Sequence, residues 1–226
     1  MARQRPDATR KNEAMKTIQR NVLLVLAGLA LIGTPTIAGQ PCRGGRVNGG
    51  SRGSQVILTS TEASELLFMR EEEKLARDVY LNLFACWGVP IFANIAKSEQ
   101  AHMDALKRLL DKYKLADPAG ETGVFSNPEL QDLYDLLVYS GSASLNAGLL
   151  VGALIEEVDI EDLQAAIANT TKADLQQVYG NLMDASENHL RAFARVSEAQ
   201  TGLPYEAQLT STDGTPITGW CEVGVR

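Results

Sequence analysis

The sequence predicts an all-α chain: a four-helix bundle with a short extra helix in the connection between the second and third long helices. Three observations carry this. Apolar residues recur at steps of three and four in four long runs, the period of one helix face. Leu and Ala are abundant while aromatic residues make up 6%, a composition that favours helices. Segments rich in Gly and Pro, or in the capping residues Asn and Thr, separate the runs.

The first run, about 62–84, follows the N-cap candidates Thr59-Ser60-Thr61-Glu62. Its seam reads Leu66, Met69, Glu73, Ala76, Tyr80, Leu83, so one carboxylate stands where Leu or Ile is the default. Glu71 and Glu72 flank it and are expected to be solvated. Cys86-Trp87-Gly88-Val89-Pro90 breaks the helix, and the second run follows to about residue 114. So short a break makes the two helices antiparallel neighbours. The second seam is Ile95, Glu99, His102, Leu106, Leu109, Tyr113, which places a carboxylate and an imidazole three residues apart on one face.

Pro118, Gly120, Gly123 and Pro128 mark 117–127 as a loop, long enough for the chain to cross the bundle. The short helix, 128–139, starts after the cap-like Ser126-Asn127 and is stopped by Ser140-Gly141-Ser142. The third long helix, about 144–168, has the seam Leu149, Ala153, Glu156, Ile160, Leu163, Ile167, with Asp159 one turn beyond Glu156. Asn169-Thr170-Thr171 separates it from the fourth, about 173–200, which ends before Gly202 and Pro204. That seam is Leu175, Tyr179, Leu182, Ser186, His189, Phe193, Val196. The two histidines of the chain thus both fall in core seams.

The flanks read differently. Lys16 and Arg20 precede a charge-free apolar stretch, 21–37, that ends in the small residues Ala38-Gly39. Basic, apolar, small is the order of a secretory signal peptide, and Met15 gives it ordinary proportions. The apolar core is short for a membrane span. An uncleaved anchor is the alternative; Gln40-Pro41 before Cys42 argues against a lipoprotein. The expected organisation is therefore 1–39 signal peptide, 40–60 flexible linker rich in Gly, Arg and Ser, 61–203 helical bundle, and 204–226 a tail of turn and strand character with 212–214 as a hairpin tip. Residues 1–21 carry six basic groups against two acidic ones, so their removal takes the formal charge from −7 to −11. So acidic a domain is a poor nucleic-acid binder. Cys42 and Cys221 are the pair favoured for a disulfide in an oxidising compartment, while Cys86 beside Trp87 reads as packed; three unpaired thiols are the alternative.

Burying a bare carboxylate is costly unless something pairs with it, and a metal ion is one such partner. Four seams here are each interrupted by a ligand type: Glu73, Glu99 with His102, Glu156, and His189. Di-iron and di-manganese bundles take one Glu from each of two helices and Glu-x-x-His from each of the other two. This chain has Ser186 where the second such Glu would stand, and Glu187 lies about 100° round the helix from it. Glu156-x-x-Asp159 puts a substitute carboxylate on the third helix. Carboxylates and imidazoles without thiolate suit iron or manganese rather than copper. A bundle core with His–Glu hydrogen bonds and no metal is the bland alternative.

The blocks FMREEEKLARDVY, FANIAKSEQAHMDAL, GALIEEVDIEDL and ENHLRAF resemble the signature of a ferritin-like domain family of unknown function, bacterial and archaeal and often secreted. The resemblance covers roughly 62–205 and implies a ferritin-like fold. Mapped onto the general ferritin-like pattern, it implies Glu73, Glu99, His102, Glu156 and His189 as metal ligands. It implies no reaction, and Ser186 departs from a symmetric two-metal centre, leaving a single ion or an asymmetric pair. Two functions stay open. One is an exported metal-binding protein with a carboxylate-bridged iron or manganese site, acting in iron oxidation or in oxygen or peroxide chemistry as a ferroxidase- or peroxidase-like oxidoreductase. The other is a non-catalytic secreted helical module with a metal-free or single-metal core. The expected location is periplasmic or extracellular. The expected partners are metal ions and further copies of the chain in a homo-oligomer, with no stable membrane span once the signal is removed. No Cys-x-x-Cys site suggests a built-in electron-transfer partner.

Overall fold

The structure, a computed structural model, describes residues 57–209. Those residues form five helices and no strand: α1 (Ser60–Trp87), α2 (Pro90–Tyr113), α3 (Pro128–Gly141), α4 (Leu145–Asn169) and α5 (Ala173–Thr201). The expected signal peptide, most of the linker, the hairpin tip and the Cys42–Cys221 pairing lie outside the described residues. No helix among the described residues is long and apolar enough to cross a membrane.

Local chemistry sets the helix ends. Thr59 and Glu62 form a reciprocal capping box: Glu62 N–H donates to Thr59 Oγ1 at 3.1 Å and Thr59 N–H to Glu62 Oε2 at 2.8 Å. Glu62 Oε1 also accepts from Thr170 Oγ1 at 2.7 Å, which ties the start of α1 to the end of α4. Gly88 closes α1 with φ at 65°, a left-handed value that glycine adopts without strain. Pro90 then opens α2, and Ser144 caps α4 by accepting from Ala147 N–H.

The long helices pack as two pairs, α1 with α2 and α4 with α5, joined by α1–α4 and α2–α5 contacts; α3 packs on both α1 and α4. Two apolar clusters form the core. One holds Val79, Leu83, Phe92, Ile95, Leu149 and Phe193; the other holds Leu66, Leu106, Leu110, Leu163, Leu175 and Leu182. The order in which each helix meets them gives the topology. α1 and α5 run from the second cluster to the first, and α2 and α4 run the opposite way. The connection 114–127 with α3 returns the chain to the end from which α4 starts. Gly152 allows α4 and α5 to approach closely, because a Cβ there would lie 2.5 Å from the Phe193 ring.

The seam positions face inward as expected, and helix ends differ from expectation by at most three residues. Three expectations need correction. Glu71 and Glu72 are buried rather than solvated, because the 117–127 connection and α3 cover that flank of α1. Cys86 is exposed rather than packed; it is the indole of Trp87 that turns inward, donating from Nε1 to the Gly141 carbonyl at 3.0 Å. The described part of the tail, 202–209, contains no strand and docks on α4: Glu157 accepts from Tyr205 OH at 2.6 Å and from Leu209 N–H at 2.7 Å.

Candidate metal centre

Between the two apolar clusters lies one polar layer. α1 contributes Glu73, α2 contributes Glu99 and His102, α4 contributes Glu156 and Asp159, and α5 contributes Ser186 and His189. All five ligand candidates read from the seams converge there, and Asp159 joins them. Glu187 lies on the outer side of α5, 3.4 Å from Arg191.

The layer contains two groups of three. Glu73, Glu99 and His102 bring ligand-type atoms within 4.8 Å of one another, and so do Glu99, Glu156 and His189. Glu99 belongs to both and offers one oxygen to each: Oε2 lies 2.7 Å from His102 Nδ1, and Oε1 lies 2.9 Å from His189 Nδ1. Glu73 Oε2 is 3.0 Å from His102 Nδ1, and Glu156 Oε2 is 3.4 Å from His189 Nδ1. The imidazoles are stacked, with centroids 5.6 Å and planes 24° apart. Each Nδ1 therefore faces two carboxylates, and one N–H cannot give both a full hydrogen bond. The strain shows in unsatisfied atoms: Glu73 Oε1, Glu99 Oε1 and His189 Nδ1 are buried without a hydrogen-bond partner. The last two are 2.9 Å apart, close enough for an ion pair yet without hydrogen-bond alignment.

Two further side chains hold the carboxylates in place. Tyr80 OH donates to Glu156 Oε1 at 2.6 Å. Ser186 Oγ donates to Asp159 Oδ2 at 2.5 Å and lies 3.1 Å from the Leu182 carbonyl. Both occupy seam positions, but the helix period assigns Tyr80 no polar role, and Ser186 reads from it only as a missing ligand. Its hydroxyl instead orients the carboxylate that α4 supplies.

Four carboxyls share this layer with two imidazoles, the principal cationic groups acting on them. Burial would raise Glu99, but the hydrogen bond from His102 and the nearby charge of His189 outweigh it and bring it to about 2. Burial opposes the charge on His102, yet Glu73 and Glu99 push it up to about 11; Glu156 and Glu99 likewise push His189 up to about 10. Burial and the charge of Asp159 push Glu73 well above the usual carboxylate range. Two groups at one contact cannot both keep the proton. We place it on His102, because Nδ1 faces the strongly acidic Glu99 as well as Glu73. Burial and the charge of Glu99 raise Glu156. Burial and the charge of Glu156 hold Asp159 at about 8, against the Ser186 hydrogen bond. Beside this layer, Glu72 and Asp162 form a second contact that the sequence reading missed. Its signal was the step of three that continues Glu156, Asp159, Asp162 along α4.

Comparison with known proteins adds relatives. The pattern of a family described as an uncharacterized protein domain (DUF2202) matches residues 62–215. The uncharacterized protein MJ0754 of Methanocaldococcus jannaschii is 52% identical over 141 residues, which make up 62% of this chain and 76% of that protein. The crystal structure of the hypothetical protein MJ0754 from Methanococcus jannaschii is similar at a TM-score of 0.67 and 41% identity, covering 82% of this chain and 98% of that one.

Proposed function

The chain belongs to the DUF2202 family of uncharacterized domains, and from that premise we propose that it is an exported, ferritin-like metalloprotein whose central layer holds iron or manganese. The ferritin-like reading is supported by the helix directions: α1 and α5 run one way, α2 and α4 the other, with one long crossover between α2 and α4. Export is supported by the basic, apolar and small order of residues 16–39, with 40–60 as linker, 61–203 as the bundle and 204–226 as its tail. The observation that carries the metal reading is the pair of carboxylate–carboxylate–imidazole groups sharing Glu99.

The donor set fits a hard to borderline divalent ion: two oxygens and one nitrogen from each group, no sulfur, and unsatisfied acceptor atoms already aimed into the layer. Glu73, Glu99 and His102 would hold one position, and Glu99, Glu156 and His189 the other. Asp159 is the substitute carboxylate, which makes the centre unsymmetrical. When bound, iron or manganese supplies one-electron redox chemistry toward dioxygen, peroxide or ferrous iron. The chain's own residues do the rest. Tyr80 and Ser186 orient Glu156 and Asp159, and the apolar clusters above and below exclude bulk water. The imidazole protons leave as the ions enter.

The second reading, an inert secreted helical module, has its own support: the imidazoles already sit within ion-pair distance of Glu73, Glu99 and Glu156. Metal content separates the two. Protein purified without chelator is expected to carry iron or manganese. Manganese at 100 times its dissociation constant is expected to stabilise the wild type by about 2.7 kcal/mol. Glu99→Ala and His102→Ala should lose both the bound metal and the metal-dependent part of the melting temperature. A wild-type protein with no bound metal and no thermal shift on loading would leave the inert module standing.

A further inference from the structure

We propose that Glu72 and Asp162 form a transit site for a divalent cation, admitting it to the layer from the α1–α4 side. The inference rests on the metal reading of that layer. Glu72 neighbours Glu73 in α1, and Asp162 lies one turn beyond Asp159 in α4. Their carboxyl groups lie within hydrogen-bond reach of each other. One oxygen of each, Glu72 Oε2 and Asp162 Oδ2, is buried and receives no hydrogen bond. Glu72 is only 7% exposed. Two buried carboxyls in contact, each with an unsatisfied oxygen, offer a divalent cation a matched set of oxygen ligands.

What makes the pair a route is its position. Asp162 is half-buried, at the edge of the α1–α4 seam. Glu72 stands beside Glu73 on α1 and Asp162 one turn beyond Asp159 on α4, so the pair lies between the half-buried edge and the first ligand group. Side chains must shift for an ion to pass, and Glu72 has somewhere to go. It borders a cavity of about 20 Å³ otherwise lined by apolar side chains, among them Leu75, Leu133, Leu154 and Val158. That is room for about one water-sized group. The rival way in is past the imidazole edges, where the side chains of His102 and His189 are 9% and 12% exposed.

Cobalt(II) uptake by metal-free protein, followed by stopped-flow absorbance, tests the assignment. Focusing by like-charged walls raises on-rates by about tenfold or more. Glu72→Gln and Asp162→Asn are therefore expected to load at least about tenfold more slowly than wild type while reaching the same final occupancy. Asp111→Asn, which removes an exposed carboxylate on α2, should load at the wild-type rate. If Glu72→Gln fails to fold by circular dichroism, the milder Asp162→Asn decides. Wild-type rates in both variants would overturn the transit site and send the cation past the imidazoles, leaving the metal centre intact. Unchanged rates with a lower final occupancy would make the pair a resident site, which also overturns transit. A wild-type protein that takes up no cobalt would remove the metal centre and the route together.

Discussion

Helix α1 faces two buried polar regions within three turns, and they are built on opposite principles. On its outer flank each charge meets a partner. Arg70 grips Asp117 through Nε at 3.0 Å and Nη2 at 2.9 Å. Lys74 donates to Asp78 at 2.6 Å and stands 3.9 Å over the Phe125 ring. Arg77 donates to Asp78 at 2.6 Å and to Gln100 at 2.6 Å, and Asp78 also accepts from Gly123 N–H. Glu71 accepts from Ser126 N–H at 2.7 Å. Glu72 apart, which meets Asp162 of α4, what is left over is one donor, Arg70 Nη1. On the inner flank the balance is reversed. Acids outnumber bases, and the leftover atoms include acceptors gathered at one place, Glu73 Oε1 and Glu99 Oε1. The outer region closes on itself and fastens the 117–127 connection. The inner one is completed only by protons or by a cation. Burial alone does not distinguish structure from site; the balance of donors and acceptors does.

The largest expected effect breaks the outer region. Lys74 and Asp78 are both fully buried, so Lys74→Met leaves an acid in the interior with one cation fewer. Removing one partner of a buried pair costs about 3–5 kcal/mol. Arg77 and Gly123 N–H still serve Asp78, so the loss should fall near about 3 kcal/mol. Urea unfolding checks it, with and without manganese. The loss should be the same in both, because Lys74 takes no part in the inner layer. A loss that manganese cancels would merge the two regions into one.

A smaller effect has a pH signature. Burial alone would raise Asp117, but the hydrogen bonds of Arg70 outweigh it and lower the acid below its usual value of 3.8. A depressed acid stabilises the fold above its unfolded pKa, and the contribution disappears as pH falls through the folded one. Asp117→Asn should therefore cost about 2 kcal/mol at neutral pH, the range of a hydrogen bond to a charged group. The gap between wild type and variant should stay constant down to about pH 5 and close below the unfolded value. A gap that widens in acid would mean the Arg70–Asp117 contact carries no net stability.

How much of this was legible depends on which faces a helix period can see. The seams are read from steps of three and four, and that arithmetic brought Glu73, Glu99, His102, Glu156 and His189 to one layer, with Asp159 as the substitute. It reports which face turns toward the neighbouring long helices. It says nothing about a second cover on the opposite face. α4 shows this best: every residue from 151 to 160 is buried, because α5, α3 and the tail enclose it, so its pattern has no polar side to read. The same blindness put Glu71 and Glu72 in solvent, since nothing local announces that a loop 50 residues away returns over α1. Tyr80 and Ser186 were hidden differently. A seam tolerates Tyr and Ser as fillers, and only the position of Glu156 and Asp159 across the layer gives their hydroxyls a role.

The smallest expected effect turns the misread residue into a test of the comparison. Glu71 sits two residues from Glu73 on the same helix, and it is as surely buried. If burial and acidity sufficed to make a ligand, removing Glu71 should disturb metal binding. Its carboxylate, however, points at the loop, where Oε1 accepts the Ser126 N–H at 2.7 Å. Glu71→Ala removes one charge-assisted hydrogen bond. Ser126 is exposed, so water can replace the lost acceptor and keep the cost near about 1 kcal/mol. Glu71→Gln retains an acceptor and should recover part of that loss. Neither change should alter metal occupancy or the thermal shift on loading, whereas Glu73→Gln, two residues on and about 200° round the helix, should reduce both. Chemical denaturation and metal analysis on the three variants read the two quantities separately. Loss of metal in the Glu71 variants would show that the outer flank belongs to the site, and the division of α1 into a closed face and an open one would fail.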